Sequence, residues 1–209
     1  MFHGYKGCFN FNRNFIHLEI NRYVHIMEIL DQVLMIGGNA RKSGKTTLIC
    51  RILEAFGRHQ RIAAVKAALY DDAVDFARHH PEANPSGYQE IQEVDPSVSK
   101  DSGKYLASGA AESWFFAALP DSQEQVVRQI ASIHQRNDLV IVESNTLRKK
   151  FTPGLFVMLH HKDRVVKESA QELQHLVDFA LETGSDEFED VQLFLGVDHD
   201  GWFIKNTTK

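Results

Sequence analysis

The segment QVLMIGGNARKSGKTTLICRILEAF, residues 32 to 56, decides how the chain folds. It begins as a short apolar run rich in strand-forming residues and ends with Leu48, Ile49, Ile52, Leu53 and Phe56 at helical spacing. Between them lies GGNARKSGKTT, in which Gly37, Gly38 and Gly44 allow tight turning. A strand that bends through glycines into a helix with unpaired first amides offers a site for an anion, and for phosphate above all.

The side chains of the loop extend that argument. Gly44 lets the backbone approach phosphate oxygens, Lys45 is placed to reach the β and γ phosphates, and Thr46 to set its hydroxyl on Mg²⁺. Thr47 is a weaker second hydroxyl facing base or sugar. Asn39, Ala40, Arg41, Lys42 and Ser43 complete the nucleotide-binding loop. Arg41 and Lys42 either neutralise a phosphate, reach across a dimer interface, or keep an exposed loop soluble. The full pattern calls for glycine at position 39, where this chain has asparagine. Asparagine tolerates unusual backbone angles better than most residues, so the departure weakens the pattern more than the site.

Working outward, RIAAVKAALY (61–70) reads as a second strand and DDAVDFARHHPEANPSG (71–87) as a loop or partly ordered region. SGKYLASGAAESWFFAALP (102–120) reads as a helix ended before Pro120, and DSQEQVVRQIASIHQ (121–135) as another, with Asp121 as N-cap. DLVIVES (138–144) is a third strand, GLFVMLH (154–160) a fourth and DVQLFLGV (190–197) a fifth. SAQELQHLVDFALE (169–182) reads as a helix before the last of these, and DHDGWFIKN (198–206) as a small antiparallel edge. Strands and helical crossovers in alternation predict an α/β, three-layer P-loop NTPase fold: a mostly parallel sheet, helices on both faces, and ligands at the strand C-termini.

Catalysis and metal binding need carboxylates at those strand ends. Glu143 closes LVIVE and is the first candidate, to bind Mg²⁺ through water, to orient an attacking water, or to cap the next turn. Asp138 opens the same strand and belongs at the opposite end of the sheet. Asp71, Asp72 and Asp75 follow the second strand closely enough to bring one carboxylate into the site, with Asp71 favoured as a catalytic group and Asp72 as a metal ligand, or both as loop solubility residues. Lys66, inside an apolar strand, needs an anionic neighbour such as substrate phosphate, Glu143 or an aspartate. In SKDSGKYLASGA (99–110), Lys100 and Lys104 could hold an anionic second substrate and Ser102 could cap a helix. Asn145 suits a base contact or a turn.

Composition narrows the classes. With 209 residues, 43% hydrophobic, 24% charged and a net charge of -5, the chain has the make-up of an ordinary soluble protein, with neither nucleic acid nor membrane expected as partner. Cys8 and Cys50 have no metal-ligand spacing, no apolar run approaches a membrane span and no secretory leader is visible, which predicts a cytoplasmic protein. Residues 1–26 are aromatic and asparagine-rich and read as a partly disordered N-terminal extension, either packed on the domain or upstream of the fold, with 27–209 as the nucleotide-binding domain.

From about Gln32 to Ala170 the chain resembles the MobB-like P-loop family of molybdopterin guanine dinucleotide biosynthesis. The residues that carry the resemblance are GKTTL, Lys66 late in the second strand, Lys100-Asp101-Ser102 followed by Ser108-Gly109-Ala110, and DLVIVES ending at Glu143. The resemblance implies GTP binding with Mg²⁺, weak hydrolysis, a homodimer and partnership with a molybdenum cofactor guanylyltransferase. The chain departs from the family where AALYDD replaces histidines after Lys66 and where Ser144 and Asn145 follow Glu143. No Asn-Lys-x-Asp segment selects guanine, so the residues themselves leave GTP and ATP open. A small-molecule kinase and a nucleotide-dependent binding switch use the same loop.

Overall fold

The computed structural model describes residues 28–40, 42–97, 99–183 and 190–205. The expected N-terminal extension, 1–26, lies outside them, and so does Arg41. The main sheet has seven strands in the order β3-β4-β2-β5-β1-β6-β7. These are β1 (Glu28–Gly38), β2 (Ile62–Leu69), β3 (Tyr88–Glu93), β4 (Glu112–Ala118), β5 (Leu139–Glu143), β6 (Phe151–His161) and β7 (Phe179–Thr183). All neighbours pair in parallel except β3, which runs antiparallel to β4 at one edge.

The apolar runs bury both faces, as a parallel sheet requires. Leu34 and Ile36 of β1 pack beneath α1 (Lys45–Phe56) with Leu48, Ile49, Ile52 and Leu53. Tyr105 of α3 (Asp101–Ala107) joins this layer. Val33 and Met35, pointing the other way, meet Val126, Val127, Ile130 and Ile133 of α4 (Gln123–His134). A hairpin of β8 (Leu195–Asp198) and β9 (Gly201–Ile204) lies over the α1 layer, where Trp202 meets Phe56 edge-on at 5.6 Å. Strand, glycine loop and helix at the head of a mostly parallel sheet covered on both faces make the three-layer P-loop NTPase fold.

Several local expectations give way. The segment expected as a loop or partly ordered region contains the short helix α2 (Ala73–His79), and β3 follows it. The helix expected through residue 119 stops at Ala107, because Gly109 turns with φ 104 and the following residues are buried as β4 between β2 and β3. The next helix begins at Gln123 with Ser122, not Asp121, at its N-cap, after a 3₁₀ turn over Pro120–Ser122. The helix expected over 169–182 reduces to α5 (Glu168–Gln171) and a 3₁₀ turn, and its last part becomes β7, which pairs with β6. DVQLFLGV supplies β8 of the hairpin and no strand of the main sheet.

Candidate functional site

β1 ends at Gly38, and the chain folds back on itself before entering α1. A Cβ on Gly38 would lie 2.2 Å from Ser43 Oγ and 3.2 Å from Lys45 Cδ, so the loop closes only over a glycine. Lys42 and Gly44 take left-handed angles, φ 56 and φ 89. Asn39 does not, so backbone tolerance is not its use here. Its side chain donates to His161 O at 3.2 Å and accepts from His161 N at 3.0 Å. Its backbone donates to Leu159 O at 2.9 Å and accepts from Lys167 N at 2.8 Å. Asn39 thus sews the loop to the end of β6, a job that glycine's missing side chain could not do. Asn145 fixes the other side: its amide donates to Gly38 O at 3.0 Å and accepts from Gly38 N at 2.8 Å, which leaves it a structural clasp instead of a base contact.

The first intrahelical bond of α1 is Leu48 N to Gly44 O at 2.9 Å, so the amides of Lys45, Thr46 and Thr47 precede the helical ladder. Ser43 Oγ is buried and has no hydrogen-bond partner among the described residues. A phosphate group would satisfy that hydroxyl and the amides together, and the residues present fit one. Ala40 is buried, Thr46 half-buried, and Lys42 and Thr47 exposed.

Ile36, Glu143 and Lys66 stand in register on adjacent strands, which brings Glu143 to the side of the loop. Glu143, only 7% exposed, is approached from two directions. Lys45 Nζ stands 3.9 Å from Oε1, whereas Oε2 accepts from the Tyr105 hydroxyl and from Lys66 Nζ at 3.5 Å. Lys66 also donates to Asp101 Oδ2, and Lys104 donates to Asp101 Oδ1 at 3.0 Å.

These environments move the ionisation equilibria. Burial lowers the Lys45 ammonium below its ordinary value, Glu143 opposes that, and repulsion from Lys167 and Lys66 adds to it. Burial would lower Lys66 too, but Glu143 and Asp101 outweigh it and raise the group. Burial would raise Asp101, but hydrogen bonds from Lys66 and Lys104 hold it below the usual carboxylate range. Burial, and then Glu143, push the Tyr105 phenol well upward, so it remains a donor.

The loop, Glu143 and Lys66 therefore come together, and the other expected site residues do not join them. Asp72 Oδ1 caps α2 by accepting from Val74 N at 2.9 Å and Asp75 N at 2.8 Å, which ties one oxygen of the carboxylate expected to hold metal to the start of that helix. Asp71 is exposed, and no contact among the described residues ties it to Glu143 or Lys45. Lys100 is exposed just before α3, and the cluster uses Lys104 from the next turn. Ser102 donates to Glu93 Oε2 at 3.0 Å instead of capping α3.

Asp101 and Tyr105 are the members that sequence reasoning gave no role. Their four-residue separation puts them on one helical face, a pairing that the expected helix, begun at Ser102, leaves out because Asp101 precedes it.

No family model matches the chain, and no curated protein is significantly similar to it. Among solved structures, the kinase domain of Escherichia coli tyrosine kinase ETK is similar at 17% identity, over 77% of this chain and 70% of that one, with a TM-score of 0.43. A likeness so faint adds nothing to the strand order and the loop. No described helix is long and apolar enough to cross a membrane.

Proposed function

We propose that the chain binds a Mg²⁺-complexed nucleoside triphosphate on the loop of residues 37–47 and turns it over slowly. The observation that carries this reading is the loop interior, where bare Gly38, the buried Ser43 hydroxyl, without a partner among the described residues, and the desolvated Lys45 ammonium meet at the end of β1. Lys45 and the first amides of α1 take the β and γ phosphates. Thr46 and Glu143 hold Mg²⁺, which when bound draws charge from the phosphate oxygens and polarises water. Glu143 Oε1 faces the loop and orients the attacking oxygen.

The finer reading, GTP as the nucleotide and assistance to molybdopterin guanine dinucleotide synthesis as a homodimer with the guanylyltransferase, is supported by the resemblance over residues 32–170. A small-molecule kinase is the second reading. The bridge in which Lys66 and Lys104 share Asp101 beside Glu143 favours it, because flexible ammonium groups on one carboxylate can turn toward an anionic acceptor.

A panel of nucleotides titrated with and without Mg²⁺, followed by phosphate release with and without candidate acceptors, tests all of this. Guanine preference without acceptor dependence favours the first reading, and turnover that requires an acceptor the second. Lys45→Ala removes a charge-assisted phosphate contact worth about 1.5–3 kcal/mol, so affinity falls about tenfold to a few hundredfold. The fold persists, because alanine is a good helix former at that position. Equal binding by a correctly folded Lys45→Ala protein would sink the nucleotide reading.

A further inference from the structure

A single row of side chains runs outward from the phosphate loop across the sheet, on the face that carries α1 and α3. Glu143 of β5 pairs with Lys66 of β2, Lys66 with Phe115 of β4, and Phe115 with Ile91 of β3. Paired positions on neighbouring strands present their side chains to one face, so a carboxylate, an ammonium, an aromatic ring and an aliphatic chain follow one another from the middle of the sheet to its edge. The row opens as it goes: Glu143 is 7% exposed, Phe115 is half-buried and Ile91 is 39% exposed. His80, just past α2, lies against the Phe115 ring at 5.6 Å between centres, and its Nε2 is 3.0 Å from the Tyr70 hydroxyl, which fixes the ring in place.

The ammonium groups beside this row are not saturated. Lys66 has three hydrogens and gives two, to Asp101 Oδ2 and to Glu143 Oε2 at 3.5 Å. Lys104 gives one, to Asp101 Oδ1 at 3.0 Å. One hydrogen on Lys66 and two on Lys104 are left without an acceptor among the described residues. Apolar surface next to a few convergent donors is the make-up of a small-molecule site. The charges of Lys66, Lys104, Asp101 and Glu143 cancel, so a monoanion fits there, whereas a dianion beside a bound triphosphate would meet net repulsion.

We propose that this row is a second-substrate subsite beside the triphosphate, and that it binds a small monocarboxylic acid with an aromatic or branched apolar body. Lys66 and Lys104 hold the carboxylate, and Phe115 and Ile91 carry the body. The inference rests on the second, kinase reading above and gives its anionic acceptor a chemical class.

The test titrates the full chain, with Mg²⁺ and a non-hydrolysable triphosphate analogue bound, by saturation-transfer NMR with four probes: phenylacetate, acetate, benzyl alcohol and benzyl phosphate. Phenylacetate binds about tenfold more tightly than acetate or benzyl alcohol, and benzyl phosphate binds no more tightly than phenylacetate. Lys104→Gln weakens phenylacetate about five- to tenfold and leaves benzyl alcohol as it was. Ile91→Asp places a like charge on the exposed end of the row and weakens phenylacetate about tenfold, while affinity for the triphosphate analogue is unchanged.

Acetate or benzyl alcohol binding as well as phenylacetate overturns the proposal, as does tighter binding of benzyl phosphate or no binding of phenylacetate. Unchanged phenylacetate affinity in Lys104→Gln overturns it too, whether or not Ile91→Asp folds. If sedimentation shows that Ile91→Asp splits a dimer while phenylacetate affinity stays the same, the row is a contact between copies of the chain and the proposal falls. Failure of every acceptor in the phosphate-release assay removes the kinase reading. Failure of phenylacetate to bind a protein that holds the triphosphate analogue removes only the subsite.

Discussion

Two buried glutamates sit at opposite ends of the same sheet, and their surroundings differ in kind. Glu112 opens β4 at the edge where the parallel strands begin, and Glu143 closes β5 at the edge where they end. The two are 8% and 7% exposed. Glu112 is saturated by donors of fixed direction. Oε1 accepts from Arg61 at 3.2 Å and Asn137 at 3.1 Å, and Oε2 from Trp114 at 3.0 Å and Arg136 at 3.1 Å, with the Arg136 guanidinium 5.4 Å from the Trp114 ring centre. Glu143 has one oxygen tied to α3 and the other 3.9 Å from a lysine, too far for a hydrogen bond. Planar guanidinium, amide and indole groups close a site, whereas ammonium groups on long stems leave one that can rearrange around a ligand. The first carboxylate is a staple and the second is poised.

The largest effect that tests this contrast comes from Glu112→Ala. Removing the carboxylate strips Trp114 of its acceptor and leaves two arginines facing each other. Losing one partner of a fully buried pair costs about 3–5 kcal/mol, and here about 2–3 kcal/mol is expected because both guanidinium groups reach water. Urea unfolding measures it. Triphosphate affinity per folded molecule stays unchanged, the reverse of the Lys45→Ala pattern. If Glu112→Ala weakens binding as Lys45→Ala does, the two ends are coupled and the contrast breaks.

How much of this was legible in the sequence depends on distance along the chain. The phosphate loop lies within a dozen residues, and LVIVE states by its polarity where the strand ends, so Glu143 and Asp138 fall on opposite edges as read; Asp138 accepts from Arg61 N at 2.8 Å at the starting edge. Tyr105 meets Glu143 across 38 residues and Lys66 meets Asp101 across 35, and no local spacing encodes either meeting. β4 is hidden from a local reading for a related reason. In SGKYLASGAAESWFFAALP the apolar spacing allows a helix, and it is burial of Phe116, Ala117 and Ala118 beside β2 that makes the second half a strand.

A smaller effect concerns the asparagine in the loop. Asn39→Gly restores the residue of the general pattern and should therefore help if pattern alone governs the site. The structure argues the opposite. The substitution removes two side-chain hydrogen bonds to the His161 backbone, each worth about 0.5–1.5 kcal/mol net, and adds backbone freedom in the unfolded chain. Stability should fall by about 1–3 kcal/mol on thermal or urea unfolding, with triphosphate affinity changed less than by Lys45→Ala. A gain in stability would show that the loop does not depend on its tie to β6, and the poised end would lose one of the anchors that keep it in place.

The smallest effect is in the acid limb of stability. Burial would raise the Glu112 carboxyl, but hydrogen bonds from Trp114 and Asn137, together with Arg136, outweigh it and hold the group below its ordinary value of 4.5. Asp101 is likewise held below its ordinary 3.8 by Lys66 and Lys104 against the effect of burial. A carboxyl depressed in the folded state binds its proton more weakly there than in the unfolded chain. Its contribution is therefore complete above the unfolded value and is lost as pH falls through the folded one. The Glu112 side chain is 9% exposed and that of Asp101 is 28% exposed, so water and salt screen the second more. Urea midpoints measured from neutral pH down past these values should fall less steeply for Glu112→Gln than for the unaltered protein, and Asp101→Asn should flatten the curve less. Added salt should shrink the Asp101 difference before the Glu112 one. If Asp101→Asn flattens the acid limb more than Glu112→Gln, the poised end holds its charges more tightly than the closed one, and the distinction between staple and site has been drawn the wrong way round.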